Sequence, residues 1–497
     1  MERSSSSSNK SEQQPESAPS ASPSTPHPHV LIAGGGIGGL CLALALQSKG
    51  IPFTVYEKVS EYKPFGGPIQ LQSNALSALE AIDADVAAEI LAEGTVTGDR
   101  INGLLDGKTG EWYIKFDTRK PAIAKGLPLT LVLNRYHLLD ILRRAVDPAR
   151  VVTGVTVESY DIATTTPSDD GEQGEEGGKC TIKLSDGTTA RGDCIIAADG
   201  IRSNVRGQMR PNDESAVYSG FTCYTATCDF ELADVDTIGY QVYLGNGQYF
   251  VASDVGQGQT QWYAFKKQDA GNRDESGEVR GNLLEMFGDW SGDVLDRLEA
   301  TEECDIEQRD IYDRRPLFRW VDGPVALLGD SAHAMQPNMG QGGCQAVEDA
   351  YVLAAELAGC GGAGNVGEGV SQALQSYEVK RVARSAAIHG FARSAAMMTA
   401  TWRPYIGSDP YDFYRYIPGM MAFWAAVEKL RIPHPGKVVG QVMMMLSIDT
   451  ILAYIAQGHP VSQEDRVPYC QVPGVSTPKR SLPKDAFKMK GLPGFAN

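Results

Sequence analysis

The sequence predicts an α/β protein whose centre is a buried, mainly parallel sheet. Three short apolar runs predict that sheet, at residues 30–33, 194–198 and 325–328. Unbroken apolar runs of this length are typical of strands that are covered on both faces. Between about residues 215 and 265 the pattern changes to strands with alternating apolar and polar residues, which predicts a second sheet layer over the first.

The segments between these runs have weaker patterns. Residues 64–71 are rich in Gly and Pro, which indicates a loop before a helix that begins near Ser73. Residues 151–162 and 179–187 are predicted to be strands, and the acidic, glycine-rich residues 164–178 to be a solvated hairpin insertion. Asn134 is placed to cap a helix that begins at Arg135.

Length and composition limit the class of protein. The 497 residues exceed the usual size of one hydrophobic core and predict two closely packed subdomains, or two domains. The net charge of -17 argues against nucleic-acid binding, which depends on clustered Lys and Arg. The nine cysteines form no C-x-x-C pair and no zinc-ligand spacing, so we expect reduced thiols and no metal site.

The first 28 residues differ in composition from the rest. They contain no aromatic and no branched aliphatic side chain, so we expect a disordered tail. Plastid transit peptides are Ser-rich but poor in acidic residues, and Glu2, Glu12 and Glu16 depart from that composition. This segment therefore does not decide between a targeting sequence and an ordinary tail.

Residues 30–57 form a strand, glycine turn, helix and strand that predict a dinucleotide site. In Gly34-x-Gly36-x-x-Gly39 the first glycine makes the tight turn, the second admits a pyrophosphate and the third lets helix meet strand. An acidic residue at the end of the second strand binds ribose hydroxyls. A merely structural glycine turn is the alternative. The cofactor-contacting residues expected here are Gly34, Gly36, Ile37, Gly38, Gly39, Glu57 and Lys58.

The segment 329–343 combines an acidic residue with a glycine-rich helix start. It follows the third apolar run and leads into a helix predicted over residues 343–357. A helix N-terminus exposes backbone N–H groups, which stabilise negative charge such as that on the pyrimidine edge of a reduced flavin. For Gly329-Asp330 alone, a sharp turn with a capping Asp is the alternative. The cofactor-contacting residues expected here are Asp330, Pro337, Gly340, Gln341, Gly342 and Gly343.

The glycine fingerprint, a mid-chain Asp199-Gly200 and the late Gly329-Asp330 occur in the order found in single-component FAD-dependent monooxygenases, which this sequence resembles. The resemblance implies FAD and a Rossmann-like FAD-binding domain with an inserted mixed β-sheet substrate domain and a C-terminal helical segment. It implies that Asp330 binds a ribityl oxygen. It also implies that Asp199 and Gly200, with Ser203 and Arg206, help hold the pyrophosphate and serve nicotinamide-dependent reduction, and that Arg135 contacts the ribityl and phosphate region. Gly67 is a further flavin contact that it implies.

The resemblance also divides the chain. We expect a tail at 1–28, a first part of the FAD-binding domain at 29–207 and a substrate-binding β-sheet domain at 208–304. The second part of the FAD-binding domain then covers 305–395, and a helical segment rich in Met and aromatic residues covers 396–497.

A narrower resemblance, to the zeaxanthin epoxidase family, rests on residues 67–75, 248–256, 261–265, 333–344 and 431–436 and extends over about residues 29 to 457. Plant members usually carry a forkhead-associated module after the catalytic part, and we expect none in this sequence, as in many algal members. An algal origin would fit. The residues expected near the substrate are Gln70, Tyr249, Trp262 and Met335.

This narrower resemblance implies a reaction and a location. FAD is reduced by NADPH or reduced ferredoxin, O2 is captured as a flavin hydroperoxide, and one oxygen atom is transferred to the ring double bond of a xanthophyll. The conversions implied are zeaxanthin to antheraxanthin to violaxanthin, or diatoxanthin to diadinoxanthin, in the xanthophyll cycle and carotenoid biosynthesis. The location implied is the chloroplast, with peripheral contact to the thylakoid or envelope membrane.

Three further features have two interpretations each. His333 is either an acid of the reaction or a structural residue of the cofactor turn. Cys344 is either a helix-start thiol with a lowered pKa or a small packing residue. The Met and aromatic residues at 397–445 form either an interfacial entrance for an apolar substrate or a helical core. No apolar stretch is long enough to span a membrane.

Two other functions stay open at the level of sequence. An aromatic hydroxylase of the same flavoprotein family would use a closed, polar pocket. A non-oxidising flavin-dependent carotenoid binder or isomerase would consume no oxygen. No catalytic side chain is assigned with certainty, because the flavin carries the chemistry.

Overall fold

The computed structural model describes residues 27–62, 67–163, 180–232, 234, 236–362 and 366–402, and beyond these only 405, 430, 444, 448–456, 461, 482 and 486–487. The predicted hairpin insertion at 164–178, nearly all of the tail at 1–28 and most of the Met-rich and aromatic segment lie outside the described residues.

The strands are, in chain order, β1 (Val30–Ala33), β2 (Phe53–Glu57), β3 (Ile69–Leu71), β4 (Thr95–Val96), β5 (Ile101–Asp106), β6 (Trp112–Phe116), β7 (Leu131–Leu133), β8 (Val151–Thr153), β9 (Val157–Ile162), β10 (Cys180–Leu184), β11 (Thr189–Gly192), β12 (Cys194–Ala197), β13 (Val217–Asp229), β14 (Ile238–Leu244), β15 (Gln248–Gly256), β16 (Gln259–Lys267), β17 (Glu307–Asp313), β18 (Val321–Asp322) and β19 (Val325–Leu327).

The α-helices are α1 (Ile37–Ser48), α2 (Ser73–Ile82), α3 (Ala84–Glu93), α4 (Arg119–Ala124), α5 (Arg135–Ala145), α6 (Asn204–Met209), α7 (Val279–Met286), α8 (Gly292–Glu299), α9 (Asp330–His333), α10 (Gly342–Ala358) and α11 (Val366–Thr401). Short 3-10 helices occur at Pro148–Arg150, Glu303–Asp305, Pro337–Met339 and Gly359–Gly362. No described helix combines the length and the apolar composition that crossing a bilayer requires.

The central sheet has six strands in the order β18-β19-β12-β1-β2-β8. All its pairs are parallel except that of β18 with β19. The three apolar runs of the sequence are β1, β12 and β19, and every residue of these strands is buried. The predicted buried parallel sheet is therefore confirmed. Because β1, β12 and β19 run parallel, their carboxyl ends lie at the same edge of the sheet.

The second large sheet has seven strands in the order β17-β13-β16-β15-β14-β5-β6. It is mixed, because β14 pairs parallel with β5 while the other pairs are antiparallel. The predicted second layer is confirmed. However, β5, β6 and β17 come from outside residues 208–304, so the sheet extends beyond the predicted insertion, whose boundaries stay a prediction.

The two faces of this sheet bury different side chains. One face packs against α7 and α8, where Trp262 stacks on Phe250 with ring centroids 5.5 Å apart. The opposite face carries Tyr249, which stacks on Phe265 at 4.2 Å. Trp402 also belongs to that second cluster. The alternation of side chains along each strand produces this division.

Two local predictions are corrected. Residues 151–162 form two strands instead of one, because Gly154 adopts a left-handed conformation, with φ of 79°, between β8 and β9. The first of these strands pairs with β2 and the second with β10. In the stretch 64–71, which is predicted to be a loop, Ile69–Leu71 pairs antiparallel with β7.

Candidate functional site

Three turns from distant parts of the chain meet at the carboxyl edge of the central sheet. The turn after β1 holds Gly34, the turn after β12 holds Asp199, and the turn after β19 holds Gly329. The first two are in direct contact, because a Cβ on Gly34 would lie 2.4 Å from the carbonyl oxygen of Ala198. In open α/β sheets ligands bind at this edge.

The glycine turn after β1 leaves room where a cofactor would approach. Gly34 has φ of 101°, which favours glycine. A Cβ on Gly39 would lie 2.0 Å from the carbonyl oxygen of Gly34, so the helix can approach the strand only without a side chain. A Cβ on Gly36 would meet no described atom within 4 Å. The turn is therefore closed on its protein side and open on its outer side.

Glu57 braces this turn at the end of β2. Its carboxylate accepts hydrogen bonds from the backbone N–H of Gly35, at 2.6 Å, and of Val59, at 3.0 Å. The hydroxyl of Tyr62 donates to the carbonyl of Gly35 at 2.8 Å. Glu57 is buried, whereas Lys58 is exposed at the end of the strand. The acidic side chain is thus fixed beside the glycine turn.

The turn after β12 presents an unsatisfied carboxylate oxygen. Asp199 Oδ2 accepts a hydrogen bond from the N–H of Asn204 at 3.0 Å, so one oxygen caps α6. Asp199 Oδ1 is buried and has no hydrogen-bond partner among the described residues. Burial raises the pKa of Asp199 above its usual range. Gly200, next to it, has φ of 81°. A buried oxygen without a partner is unusual, and this one is available to a ligand or an ordered water.

Arg206 is placed differently from its expected role at a pyrophosphate. Its Nη1 donates to the carbonyl oxygens of Ser331, at 3.0 Å, and Ala332, at 3.3 Å. Its Nη2 forms an ion pair with Asp213 at 3.1 Å. The guanidinium is buried, so Arg206 joins α6 to α9. Ser203, as a hydrogen-bonded cap of α6, has a similar structural role.

The turn after β19 places an acidic side chain against the start of α10. A Cβ on Gly342 would lie 3.9 Å from Asp330 Oδ1. Asp330 is exposed in the open cleft, yet protein surrounds it closely enough to raise the pKa of its carboxyl group, while His333 and Arg135 act in the opposite direction. Arg135 is half-buried, and burial together with the neighbouring Arg309 lowers its pKa.

The glycine-rich start of α10 packs closely on β3. Gly340 has φ of 60°, and a Cβ there would lie 2.7 Å from Gln70 Oε1. A Cβ on Gly343 would lie 2.8 Å from Ile69 Cδ1. Pro337, by contrast, is exposed in its short 3-10 helix. The structure thus brings Gln70 next to the predicted cofactor turn.

The side chain of Gln341 points into the protein. Its Oε1 accepts hydrogen bonds from Asn74 Nδ2 at 3.1 Å and Gln345 Nε2 at 2.9 Å, and its Nε2 donates to Gln72 Oε1 at 2.7 Å. The residue is fully buried. Only the backbone of Gln341 is therefore available to a cofactor.

Behind this turn lies a buried cluster of charged side chains. Glu348 and Asp349 of α10 accept hydrogen bonds from Arg381 of α11, and the contact of Arg381 Nε with Asp349 Oδ1 is 2.7 Å long. Asp349 Oδ2 also accepts from the N–H of Gly329 at 3.0 Å. Burial raises the pKa of Asp349, but His333 and Arg381 outweigh that effect and lower it to about 2.

His333 belongs to this cluster. Its Nε2 lies 2.7 Å from Asp349 Oδ2, and its ring lies 5.2 Å from that of Trp320. The side chain is buried. These contacts favour the structural interpretation of His333.

Cys344 is buried in the first turn of α10, where the low-pKa interpretation is wrong. Burial raises the pKa of its thiol to about 12. We expect iodoacetamide at pH 8 to alkylate the exposed Cys304 and to leave Cys344 unmodified in the native protein, as read by peptide mass spectrometry. Labelling of both cysteines at one rate would contradict this. The eight cysteines of the described residues are free thiols, as expected.

The residues expected near the substrate divide into two groups. Tyr249 lies on the sheet face opposite to α7 and α8, and its hydroxyl accepts a hydrogen bond from Asn338 Nδ2 at 3.2 Å. Met335 is half-buried in the same turn region. Trp262 instead lies on the other face, fully buried, and donates to Thr301 Oγ1 at 2.9 Å. We therefore leave Trp262 out of the proposed substrate region.

A family model described as an FAD binding domain matches residues 27–392. The chain belongs to this FAD-binding family. It is 46% identical over 455 residues to a chloroplastic zeaxanthin epoxidase of Oryza sativa subsp. japonica, which covers 90% of this chain and 65% of the relative. It is 43% identical over 444 residues to a chloroplastic zeaxanthin epoxidase of Arabidopsis thaliana, and the alignment covers 88% of this chain and 63% of that relative. The chain thus spans just under two thirds of these relatives, and the predicted resemblance is confirmed.

Solved structures bear out the fold. HpxO of Klebsiella pneumoniae, complexed with FAD and uric acid, aligns with a TM-score of 0.66 and 24% identity, covering 86% of this chain and 97% of that one. A salicylate hydroxylase in complex with its substrate aligns with a TM-score of 0.61 and 20% identity, and the alignment covers 88% of this chain and 98% of that one. The predicted FAD-binding fold is therefore confirmed.

The residues of the cleft fit the cofactor of this FAD-binding family. The outer side of Gly36 is open, Asp199 has an oxygen without a partner among the described residues, and Asp330 is exposed beside the start of α10. These features lie on the three turns that meet at one edge of the sheet. Gly67 lies farther along, where a Cβ would approach Gln261 Nε2 at 3.0 Å and Tyr263 Oη at 3.1 Å.

The charged cluster on α10 and α11 is not among the features predicted from the sequence. Its signal is the adjacent pair Glu348-Asp349 inside a mainly apolar helix, together with Arg381 and Arg384 on a later helix. Acidic residues in a buried helix face need cationic partners. The pattern indicates that partners exist but does not say which of the 45 Lys and Arg residues they are.

Proposed function

We propose that this chain is an FAD-dependent monooxygenase that inserts one oxygen atom of O2 into the ring double bond of a xanthophyll. The observation that carries the proposal is the 46% identity over 455 residues with a zeaxanthin epoxidase, which extends beyond the 27–392 match of the FAD-binding family. The substrates proposed are zeaxanthin and antheraxanthin, or diatoxanthin. NADPH or reduced ferredoxin is the proposed electron donor.

Bound FAD, once reduced, supplies the electrons that activate O2 for transfer of one oxygen to an alkene. The protein itself binds and orients the cofactor and the substrate. Gly34 makes the tight turn, Gly36 would leave space for the pyrophosphate, and Glu57, already fixed by two backbone N–H groups, would accept hydrogen bonds from ribose hydroxyls. Asp330 and Arg135 would contact the ribityl and phosphate region of the cofactor. The N-terminus of α10 would stabilise negative charge on the flavin ring.

The aromatic sheet face supports an apolar substrate. Tyr249, Phe265 and Phe221 are uncharged and packed edge to face and face to face. Burial raises the pKa of Tyr249 well above its usual range, so its hydroxyl stays protonated. All three side chains are buried in a cluster that also contains Trp402 and Met444. An uncharged wall of this kind is a better neighbour for a long hydrocarbon than for an ionised phenol, which supports the epoxidase over the aromatic hydroxylase.

We propose a plastid location with peripheral membrane contact, since xanthophylls are membrane lipids and the relatives are named as chloroplastic. Met397, at the end of α11, has a side chain that is 65% exposed. In contrast, Trp402, Tyr405 and Met444 are buried, which favours the core interpretation for these residues of the Met-rich and aromatic segment.

The test is a product assay with the purified FAD-loaded protein. We expect zeaxanthin or diatoxanthin, supplied with O2 and NADPH or reduced ferredoxin, to yield a product one oxygen atom heavier, as read by mass spectrometry. Salicylate is the control substrate. Hydroxylation of salicylate without any xanthophyll epoxide would favour the aromatic hydroxylase. A change in the carotenoid without oxygen uptake would favour the isomerase.

A further inference from the structure

Arg384 of α11 contacts two separate parts of the molecule. Its Nε and Nη2 donate to the two carboxylate oxygens of Glu348, at 2.7 and 2.8 Å. Its Nη2 and Nη1 also donate to the carbonyl oxygens of Ile455, at 2.9 Å, and Tyr454, at 3.3 Å. These carbonyls belong to the described helical segment 448–456. The five N–H donors of a guanidinium can serve carboxylate and backbone carbonyl acceptors at the same time.

The segment 448–456 is docked by more than this one residue. Ile455 is buried, and Phe391 of α11 contacts the ring of Tyr454 at 5.6 Å between centroids. The guanidinium of Arg384 lies 5.8 Å from the same ring. Arg384 therefore lies at the centre of the contact between α11 and the C-terminal segment.

From Glu348 a chain of hydrogen bonds leads to the start of α10. Glu348 Oε1 accepts from Asn74 Nδ2 at 2.6 Å, and the same amide nitrogen donates to Gln341 Oε1 at 3.1 Å. Gln341 is the residue immediately before α10, next to Gly342 and the cleft. Arg384 is thus connected, through two side chains, to the helix end that faces the cofactor.

The buried charges of this cluster balance one another, so the loss of one cation affects the whole chain of hydrogen bonds. Glu348 and Asp349 are two buried carboxylates, and Arg381 and Arg384 are their two guanidinium partners. Loss of Arg384 leaves Glu348 with a single cation. A buried carboxylate that lacks compensation is strongly destabilised. It then recruits water or other donors and disturbs the amide groups of Asn74 and Gln341.

We propose that Arg384 is a positioning residue that couples docking of the segment 448–456 to the cofactor-facing start of α10. Through this coupling, release of the C-terminal segment changes how tightly and in which electrostatic environment the flavin is held. The inference rests on FAD binding, which the family match shows, and does not require that the reaction is an epoxidation.

The test uses the FAD-loaded full chain and three variants. We expect Arg384→Met to release FAD about tenfold faster on dilution, equivalent to ~1.4 kcal/mol, and to shift the flavin reduction potential to a more negative value. The negative shift follows because an uncompensated Glu348 disfavours the anionic reduced flavin. Chymotrypsin should cleave after Tyr454 faster than in the unmodified protein.

Two further variants separate charge from shape. Arg384→Lys keeps the charge but not the fork of donors, so FAD release stays near that of the unmodified protein while cleavage is accelerated. The double variant Glu348→Gln with Arg384→Met removes both charges, so we expect FAD retention to recover while cleavage stays fast. Arg393→Met, an exposed position on the same helix, is the control and should change neither.

Two outcomes would overturn the proposal. One is a folded Arg384→Met variant that releases FAD at the unmodified rate. The other is a double variant that retains FAD no better than Arg384→Met alone, since that would indicate general loss of packing. The rates of FAD release and of chymotrypsin cleavage do not depend on the substrate. They therefore test the role of Arg384 even if the protein does not epoxidise xanthophylls.

Discussion

Replacing Arg381 by methionine is expected to lower the free energy of unfolding by about 3–5 kcal/mol, the usual cost of removing one partner from a buried charge pair. Arg381 is fully buried and contacts Glu348, Asp349 and Gln345. Its loss leaves two adjacent carboxylates with too little positive charge. Chemical denaturation followed by tryptophan fluorescence measures the effect, because Trp320 packs against His333 in the same cluster.

The neighbouring residue provides the control. Lys380 precedes Arg381 in α11, and it forms an ion pair with Glu356 although its side chain is 58% exposed. Solvent screens such a pair, so Lys380→Met should cost about 0–1 kcal/mol. Equal effects at the two positions would mean that the buried cluster contributes no more than a surface ion pair.

Replacing Gly39 by alanine is expected to abolish FAD binding by distorting the protein itself. The added Cβ would lie 2.0 Å from the carbonyl oxygen of Gly34, so α1 must move away from the glycine turn. Overpacking of this kind costs about 1–3 kcal/mol. We expect a lower thermal unfolding temperature and no flavin absorbance in the purified variant.

Gly36→Ala is the matched variant in the same turn. Its Cβ would meet no described protein atom within 4 Å, so the thermal stability of the FAD-free protein should not change. The methyl group would instead occupy the space assigned to the cofactor, and FAD affinity should fall at least about tenfold, or ~1.4 kcal/mol. Titration of the FAD-free protein with FAD measures the effect, and a Gly36→Ala protein with an unchanged Kd for FAD would contradict the assignment of this space.

The sequence predicted best where local pattern decides structure. The strands β1 and β2 and the glycine turn between them follow from residues that are close in sequence. Asn134 caps α5 as predicted, because a cap depends only on the next two residues. Segments of this kind carry their structural information within about ten residues of chain.

The sequence is less informative where distant residues decide the structure. Nothing near β5 indicates that it pairs with β14, so the second sheet extends beyond the predicted insertion. Arg206 follows the mid-chain motif in sequence, yet the carbonyls of Ser331 and Ala332 determine the direction of its side chain. For Cys344 the sequence leaves both a low-pKa thiol and a packing residue open, and burial against β3, which raises the thiol pKa, favours the packing residue.

The order of strands in the central sheet constrains synthesis of the chain. Val30 pairs with Cys194, and Ile195 pairs with Val325, so the ribosome must deliver Ala197 before β1 has both of its neighbours and Leu327 before β12 has both of its own. The apolar α1 waits longer still for α10, its packing partner. Pairing between such distant segments is slow and leaves apolar surface exposed. During synthesis the apolar face of α1 therefore stays uncovered until α10 has emerged.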